Sequence, residues 1–447
     1  MSLYFRPEKG VLGDVIPFYD NGVFKPFYLR NYRGNRDANH QDSWVMLSTT
    51  DHVHFTEHDT KIVGGTGSVI KVDGIYHMFF CTFQVMPEKN YINHAVSTNL
   101  DTWTEIPEDR FASDNQIYAP VHWRDPFVFW CEEENCWWMI FAAQKQGMTT
   151  RRGCVGLCKS DDLHHWSYCD PIYAPMNAQC AFECPDLFKM GDWWYLVFSE
   201  YSEGNKIHYR RSKNLYGPWE APFDDAFDGR AYYAGRTAFD GERRVLFGWV
   251  PTRIDNDDKN AYLWGGTFVP HEVFQKEDGT LGVKPVDQMM EAFDGWKDLF
   301  NPCMKTIDTK EETLLCEDTG SIAAFKTTVK FEEGTKEFSI RFYKDEETEV
   351  SYEYRFFVEE NKVVFNKCPN YPWYQCFNIG LERPIKLEAD KEYEICLIID
   401  QDISTLYING TALNARLCDH PGNGLALTVT DGTLEAKNTK IATKINK

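Results

Sequence analysis

One short unit recurs five times along most of the chain, and this repetition constrains the fold more than any other feature. Each copy opens with an apolar strand, turns at Asp-Gly or a similar polar pair, and continues into a strand rich in aromatic residues. Such a turn between two strands is a strong hairpin signal. The copies are DVIPFYDNGVFKPFYL from residue 14, SVIKVDGIYHMFFCTF from 68, DPFVFWCEEENCWWMIFA from 125, DLFKMGDWWYLVFSE from 186 and TAFDGERRVLFGWV from 237.

Four copies carry a second signature, which predicts a third strand, a polar turn and an aromatic residue that anchors a fourth strand. These signatures are STTDHVHF at 48, STNLDTW at 97, KSDDLHHW at 159 and RSKNLYGPW at 211. Four strands in about 50 residues, repeated five times, are typical of a β-propeller. We therefore predict a five-bladed propeller over residues 1–294. Because the first strand of each blade lines the central channel, the residues that start these strands should gather at one mouth.

The pattern changes after residue 294. Residues 295–447 alternate polar and apolar side chains, as in FSIRFY, VSYEYRFFVE, EICLIID and STLYING. This alternation is typical of a half-buried antiparallel sheet. We predict a C-terminal β-sandwich domain there, so the whole chain is expected to be all-β.

The charge and cysteine patterns limit the classes of partner. The formal net charge is −21 and no block of Lys and Arg interrupts it, which argues against nucleic acid and anionic membrane surfaces. No apolar stretch approaches the roughly 18 residues of a membrane span, and no export signal is recognisable, so a cytoplasmic location is expected. The 14 cysteines form no CxxC pair, which favours reduced thiols over a disulfide or zinc framework.

Three carboxylates start strands in three different repeats. Glu183 lies in the charge-poor stretch FECP, which should favour its protonated form. Asp125 follows Arg124, whose guanidinium can hold a carboxylate ionised, and Asp14 follows Gly13. Each of these residues, taken alone, is more simply interpreted as a hydrogen-bond acceptor at a strand end. Together they provide the two carboxyl groups, one protonated and one ionised, that cleavage of a glycosidic bond requires.

Several segments resemble glycoside hydrolase family 32, the β-fructofuranosidases that include invertases, inulinases and levanases. The segments are WRDPFVF at 123–129, FECPDLF at 182–188, DGRAYYAGRTAFDGERRVLFGWV at 228–250 and VPHEVFQKEDGTLGVKPV at 269–286. The resemblance implies a propeller followed by a sandwich and a retaining double displacement. Asp14 would be the nucleophile, Glu183 the general acid and base, and Asp125 the transition-state stabiliser, with Arg124 beside it. It also implies a small carbohydrate as the partner and neither a metal nor an organic cofactor; the sequence leaves a homo-oligomer open.

The chain departs from the family at the first motif and at a second pocket motif. The usual Asn-Asp-Pro-Asn-Gly is replaced by Gly13-Asp14-Val15-Ile16-Pro17, and the usual Phe-Ser-Gly-Ser by Gly65-Thr66-Gly67-Ser68. The family's Gln at the end of the first hairpin is Leu29. These changes alter sugar recognition while the carboxylates remain, so we expect an unusual fructoside, such as a short oligosaccharide or a difructose anhydride.

Other polar and aromatic residues are candidates for binding a sugar. Trp44, Trp103, Trp166 and Trp219 recur at one point of successive repeats, which favours packing between blades, although Trp44 is kept as a candidate sugar contact. The histidines at 52, 54, 164 and 165 are interpreted as solvent-facing, since they lie in polar turns. The full set of candidate binding residues is Arg124, Thr66, Ser68, Trp44, Asp228, Tyr233, Trp249 and Trp264.

Three other functions stay open on the sequence. A family 43-like arabinosidase or xylosidase shares the propeller and its three carboxylates, but Cys184-Pro185 and the sandwich favour the fructosidase. A fructosyltransferase would use the same covalent intermediate. An inactive carbohydrate-binding propeller is the alternative outside enzymes, and the retention of all three carboxylates argues against it.

Overall fold

The computed structural model describes residues 2–34, 43–84, 89–202, 205–370 and 380–446. Strands account for nearly all the regular structure of these residues. The exceptions are one short helix, α1 (Asp287–Glu291), and the 3-10 turns Pro107–Asp109 and Ile254–Asn256. None of the helices described has the length and apolar character needed to cross a bilayer.

Five antiparallel units follow one another from residue 11 to residue 284. The first contains β1 (Val11–Ile16), β2 (Tyr19–Asp20), β3 (Val23–Phe24), β4 (Phe27–Asn31), β5 (Ser43–Ser48) and β6 (Thr56–Asp59). The second contains β7 (Gly67–Val72), β8 (Ile75–Gln84), β9 (Lys89–Ser97) and β10 (Thr104–Glu105), and the third β11 (Arg124–Cys131), β12 (Cys136–Gln144), β13 (Gly153–Ser160) and β14 (Ser167–Tyr173). The fourth contains β15 (Glu183–Met190), β16 (Trp193–Glu200) and β17 (Lys206–Ser212), and the fifth β18 (Tyr233–Phe239), β19 (Arg244–Arg253), β20 (Tyr262–Gln275) and β21 (Leu281–Lys284).

The first strands of the five units contact one another in a closed ring. β1 contacts β7, β7 contacts β11, β11 contacts β15, β15 contacts β18, and β18 contacts β1. In addition, β1 pairs with β20 of the fifth unit through Leu12 and Gly266. This ring is the arrangement expected when blades surround an axis, and it brings the starts of the first strands together.

In the part of the fourth unit that the structure describes, the fourth strand that the repeat predicts is absent. Its place is taken by two isolated bridges, Arg211 with Glu220 and His208 with Ala226. Pro218 and Pro222 lie in this segment. Proline has no backbone N–H to donate to a ladder, so a continuous strand is not formed there.

The recurring tryptophans pack between neighbouring units, as the sequence indicated. Trp103 of the second unit contacts the Phe27 ring of the first, and Trp166 of the third contacts Phe79 of the second. Trp219 of the fourth unit donates from its indole nitrogen to the carbonyl of Ile172 in the third, at 3.0 Å. These aromatic residues thus pack at the contacts between neighbouring units and stabilise the ring.

The C-terminal region forms two facing layers that share one long strand. Its strands are β22 (Phe293–Asp294), β23 (Lys297–Asp298), β24 (Cys303–Cys316), β25 (Ile322–Phe331), β26 (Glu337–Lys344), β27 (Ser351–Phe357), β28 (Lys362–Cys368), β29 (Glu382–Pro384), β30 (Glu392–Asp400), β31 (Ile403–Ile408), β32 (Thr411–Arg416), β33 (Gly424–Ala442) and β34 (Lys444–Ile445). β33 pairs with β26 along its first half and with β25 along its second half. It therefore belongs to both layers, β29-β28-β27-β26 and β25-β30-β31-β32. Tyr354 of the first layer donates to the carbonyl of Leu413 in the second, at 2.9 Å, which is the face-to-face packing of a sandwich.

Buried polar contacts join the sandwich to the five-unit ring. The Asp400 carboxylate accepts hydrogen bonds from the backbone N–H groups of Leu3 and Tyr4. Arg416 donates to the carbonyls of Val250 and Pro251 at 2.8 and 3.0 Å. The division at residue 294 stays a prediction, and Phe293–Asp294 already pair with the last strand, β34.

Candidate active site

Four of the five first strands carry the same irregularity near their start. The register of each strand shifts there, between Gly13 and Ile16 in β1 and at the matching place in β11, β15 and β18. One residue with positive φ lies in each shift: Asp14 (29°), Asp125 (57°), Cys184 (47°) and Ala234 (53°). A β-bulge of this kind bends the strand and re-aims its side chains. The repeated bulge therefore turns residues of different units toward one place.

Asp14 is partly buried at this place and is held by a neighbouring hydroxyl. Thr66 Oγ1 donates to Asp14 Oδ2 at 2.5 Å. Burial raises the pKa of Asp14 to about 7, and the negative charges of Asp125 and Glu183 act in the same direction, against the hydrogen bond from Thr66. Asp14 therefore titrates in the neutral range.

Glu183 accepts a hydrogen bond on each of its two oxygens. Arg124 Nη2 donates to Oε1 at 2.8 Å, and the Tyr233 hydroxyl donates to Oε2 at 2.6 Å. The prediction of a charge-poor setting for Glu183 is therefore wrong. The bulge brings Arg124, one residue before Asp125 in its own unit, directly against the carboxylate of the next unit.

Asp125 is the most buried of the three carboxylates. Its Oδ2 accepts the backbone N–H of Cys184 at 3.1 Å and lies 3.8 Å from Arg124 Nε. Burial raises the pKa of Asp125, while the Arg124 charge and the Cys184 N–H oppose that shift. Arg124 thus lies between two carboxylates and makes its shorter contact with Glu183.

Two tryptophans lie beside Asp14. The Trp249 indole is almost fully buried, and its Nε1 has no hydrogen-bond partner of ordinary geometry among the described residues, although it lies close enough to Asp14 to lower the carboxyl pKa. Trp264 packs edge-on against Trp249 with ring centroids 5.9 Å apart and is 41% exposed. A Cβ at Gly13 would overlap the Trp264 ring. Glycine at position 13 therefore lets the Trp264 ring lie against the backbone next to Asp14.

The structure does not bring Trp44 and Ser68 to the site as sugar contacts. Trp44 is fully buried, packs between the rings of Phe27 and Phe80, and donates to the carbonyl of Gly65 at 3.0 Å. Ser68 is buried, and its Oγ accepts the N–H of Val128 at 3.0 Å. Both residues stabilise contacts between units, and their positions in the repeat did not distinguish this role from binding.

Asp228 also lies away from the carboxylates, at the junction with the sandwich. Its Oδ1 and Oδ2 accept hydrogen bonds from the backbone N–H and side-chain amide of Asn414, at 2.8 and 2.7 Å. Its Oδ2 lies 3.3 Å from His271 Nε2. The structure therefore does not bring Asp228 to the carboxylate site, because its buried carboxylate is engaged by Asn414 of the sandwich and lies beside His271 of the fifth unit.

Two residues near the carboxylates were not found from the sequence. Arg236 is fully buried and donates to the carbonyls of Asp125, at 2.7 Å, and Gly67, which fixes the bulged backbone of β11. His122 Nδ1 lies 2.5 Å from Arg124 Nη1, and burial together with the Arg124 charge lowers the His122 pKa to about 4. The available signal for Arg236 was a single arginine at the end of the otherwise uncharged segment YYAGR, at the start of a first strand.

A separate cleft of about 1100 Å³ lies between the fifth unit and the sandwich. Lys284, Lys326, Tyr407 and Asn409 are among its lining residues, and the three carboxylates are not. The carboxylate site and this cleft are therefore distinct places on the molecule.

Comparison with known families and curated proteins gives consistent results. The family model described as "Glycosyl hydrolases family 32 N-terminal domain" matches residues 4–285. The chain is 24% identical over 331 residues to the raffinose invertase of Escherichia coli, with 64% of each chain covered. It is 25% identical over 321 residues to the sucrose-6-phosphate hydrolase of Vibrio alginolyticus, with 64% of this chain and 63% of that protein covered. The matches thus span somewhat less than two thirds of these relatives.

Solved structures share the fold over the whole chain. Fructan 1-exohydrolase IIa from Cichorium intybus, solved with 1-kestose, has a TM-score of 0.80 at 17% identity and covers 100% of this chain and 97% of its own. Exo-inulinase from Aspergillus awamori has a TM-score of 0.75 at 17% identity, with 100% and 98% covered. At this identity the likeness establishes the fold, a β-propeller followed by a β-sandwich.

Proposed function

The chain belongs to glycosyl hydrolase family 32, and from this premise we propose that it is a retaining β-fructofuranosidase acting through Asp14, Asp125 and Glu183. The observation that carries the proposal is the convergence of these carboxylates from three separate units of the ring. Thr66, Arg124 and Tyr233 hold two of them through direct hydrogen bonds. Carboxylates that served only as hydrogen-bond acceptors at strand ends would not need side-chain donors from other parts of the sequence.

In this mechanism Asp14 attacks the anomeric carbon of the fructosyl ring while Glu183 protonates the departing oxygen. The bond to the leaving group breaks, and an ester forms between Asp14 and the sugar. Glu183 then removes a proton from water, and the hydroxide formed releases fructose from Asp14. Asp125 accepts hydrogen bonds from sugar hydroxyls, and the indole N–H of Trp249, which lies near Asp14, donates to one when substrate is bound.

The resting site differs from the reactive one in where its proton lies. The raised pKa of Asp14 places a proton on the nucleophile in weakly acidic solution, whereas Glu183 is arranged as an acceptor toward Arg124 and Tyr233. Reaction requires an ionised Asp14 and a protonated Glu183. We infer that one proton moves from Asp14 to Glu183, directly or through water, as the substrate enters.

The test is hydrolysis of a fructoside panel with product anomers followed by NMR. Asp14→Asn should lower kcat by at least about 1000-fold. Asp20→Asn is the matched control, because Asp20 lies in the same unit and bonds to Lys71 and Tyr76 away from the site. An enzyme with the proposed mechanism releases fructose with retained configuration, and an intact-mass experiment should trap one fructosyl group on the protein. Failure of wild type to cleave any fructoside, or full activity of Asp14→Asn, contradicts the proposal.

The recognition side chains support an unusual fructoside as substrate. Val15 and Ile16, which replace family residues of the first motif, are buried apolar side chains, and Leu29 packs against the core between the first two units. The side-chain amides of the family motifs, which could bind sugar hydroxyls, are thereby replaced by apolar side chains that pack in the core. We propose a short fructo-oligosaccharide or a difructose anhydride. The ratio of kcat/KM values across the panel tests this choice, and a panel in which sucrose and inulin rank first contradicts it.

A further inference from the structure

Two histidines and an aspartate meet outside the carboxylate site. His94 lies on β9, Asp109 in the 3-10 turn Pro107–Asp109, and His164 in the turn that follows β13. The Nδ1 atoms of His94 and His164 both lie near Asp109 Oδ2, at 2.6 and 2.7 Å. One ligand atom from each residue falls within 4.8 Å of the other two. Three donors from two units therefore converge on one point.

A second layer of contacts holds His94 in place. Its Nε2 lies 2.9 Å from Nδ1 of His77, and the Phe79 ring stacks on it at 4.3 Å with an interplanar angle of 13°. A histidine that binds a metal through one ring nitrogen usually has the other engaged in a hydrogen bond, which fixes the ring and its tautomer. His77 provides this partner, so the Nδ1 of His94 is directed toward Asp109.

The cluster has one closed side and one open side. His94 is buried and the Asp109 side chain is nearly so, whereas His164 is 43% exposed. Two imidazole nitrogens and one carboxylate oxygen are a donor set that suits Zn²⁺, and an open side leaves room for a water molecule as the fourth ligand.

The position of the cluster separates it from catalysis. His164 lies in the turn that follows β13, at the end of the third unit where β11 turns into β12, whereas the carboxylates occupy the starts of first strands. Because successive strands are antiparallel, this turn lies at the opposite end of the units from the carboxylates. A metal here would join the second unit to the third.

We propose that His94, Asp109 and His164 bind one Zn²⁺ ion or a chemically similar divalent transition metal, which fastens the second unit to the third. The metal replaces the shared hydrogen bonds to Asp109 Oδ2, and each histidine binds as the neutral imidazole. The site is structural and is independent of the fructosidase proposal.

The test is titration of chelator-treated protein with ZnCl₂ by calorimetry, together with thermal unfolding with and without Zn²⁺. We expect one ion per chain and a rise in Tm, since a metal that binds only the folded protein stabilises it. Mg²⁺ at the same concentration should leave Tm unchanged, because it prefers oxygen ligands. Absence of saturable binding at one site per chain overturns the proposal.

A pair of adjacent histidines supplies the matched control. His164→Ala should weaken Zn²⁺ binding at least about 10-fold, while His165→Ala, at a residue whose side chain is 90% exposed and pairs with Asp162, should bind as wild type does. Asp109→Asn provides a second variant, and Co²⁺-loaded protein should lose its visible absorption in both Asp109→Asn and His164→Ala. Zn²⁺ affinity unchanged in both variants, or lowered equally by His165→Ala, overturns the proposal.

Discussion

The fold changes the ionisation of Asp14, the proposed nucleophile. Its carboxyl group is surrounded by protein atoms and two other carboxylates, which raises its pKa to about 7 from a usual value of 3.8. The reaction needs one proton, which the resting site holds on Asp14 and passes to Glu183, so kcat/KM should fall as the pH rises through about 7 and this proton is lost. The same shift makes Asp14 a source of instability at neutral pH.

Asp14→Asn should therefore be more stable than wild type at about pH 8, by roughly 1–3 kcal/mol after allowance for partial exposure. Below both pKa values the carboxyl is protonated in folded and unfolded chains and has no effect. Between them the unfolded chain loses its proton first, so stability falls as the pH rises, and above the folded value the loss is constant. The gain should shrink toward pH 4, and urea unfolding at several pH values measures it.

Asp20→Asn should show the opposite sign. Burial raises the pKa of Asp20, but hydrogen bonds from Lys71 and Tyr76 outweigh burial and lower it. Wild type therefore gains stability from Asp20 above its unfolded pKa, and the variant should be less stable at neutral pH. Equal pH dependence for the two variants would contradict the assignment of the Asp14 shift.

Trp249 should contribute to catalysis through its N–H group. Trp249→Phe keeps an aromatic ring but removes a buried donor that has no ordinary hydrogen-bond partner in the described part of the free protein. We expect kcat/KM to fall about 10-fold, the value of one hydrogen bond to substrate, with little change in stability. Trp103→Phe removes an indole that donates to the Leu100 carbonyl, so steady-state kinetics should stay unchanged while Tm falls. A Trp249→Phe enzyme with wild-type kcat/KM would exclude this role.

At the scale of the strand, the repeated β-bulge orients the residues of the site. Asp14, Asp125, Cys184 and Ala234 occupy the left-handed position in four different first strands. A non-glycine residue in that conformation costs about 1 kcal/mol or more, and such strain is concentrated at functional sites. Bulges thus redirect carboxylates toward a common centre at the expense of local stability.

Ala234 allows the strain to be measured without touching a carboxylate. Ala234→Gly relieves a positive φ of 53°, whereas Ala238→Gly, in the same strand with ordinary φ, only adds flexibility. We expect Ala234→Gly to be more stable than Ala238→Gly by about 1–2 kcal/mol. Urea unfolding of the two variants checks this difference, and equal destabilisation would show that the bulge carries no strain.

At the scale of the whole molecule, the sandwich is fastened to the ring by buried polar groups. Asp228 accepts two hydrogen bonds from Asn414 and lies beside His271, all of them fully buried. Arg383 reaches from the sandwich to the Asp224 carboxylate at 2.7 Å. Such groups stabilise an interface only when every partner is present.

Asn414→Ala should therefore destabilise the protein by about 2–4 kcal/mol, because it removes the amide donor to Oδ2 of a buried carboxylate. Asn423→Ala, at an exposed asparagine of the same domain, is the control and should stay within about 0.5 kcal/mol of wild type. Thermal unfolding measures both. At temperatures where Asn414→Ala is folded, its kcat/KM should equal that of wild type, since Asp228 lies away from the carboxylate site.

Much of the fold follows from the sequence because its signals are local. Asp-Gly turns fix hairpins, and the recurring tryptophans at 103, 166 and 219 predicted the packing between units that the structure contains. The fourth strand of the fourth unit was the exception, since its prolines outweigh the repeat pattern. The motifs around Asp125 and Glu183 identified two of the candidate carboxylates for the same reason, because short segments carry them, whereas Asp14 was identified although the residues around it have changed.

The sequence by itself determined the all-β class, the repeated unit, the family and the three candidate carboxylates. Only the tertiary structure decided which partner each side chain contacts. Arg124 donates to Glu183, and Asp228 accepts from Asn414 of the sandwich. Trp44 and Ser68 make contacts between units. The physical reason is the separation along the sequence of the residues that interact. Hairpins and bulges depend on neighbours along the chain, whereas hydrogen bonds, burial and pKa shifts depend on residues that closure of the ring brings together from distant positions.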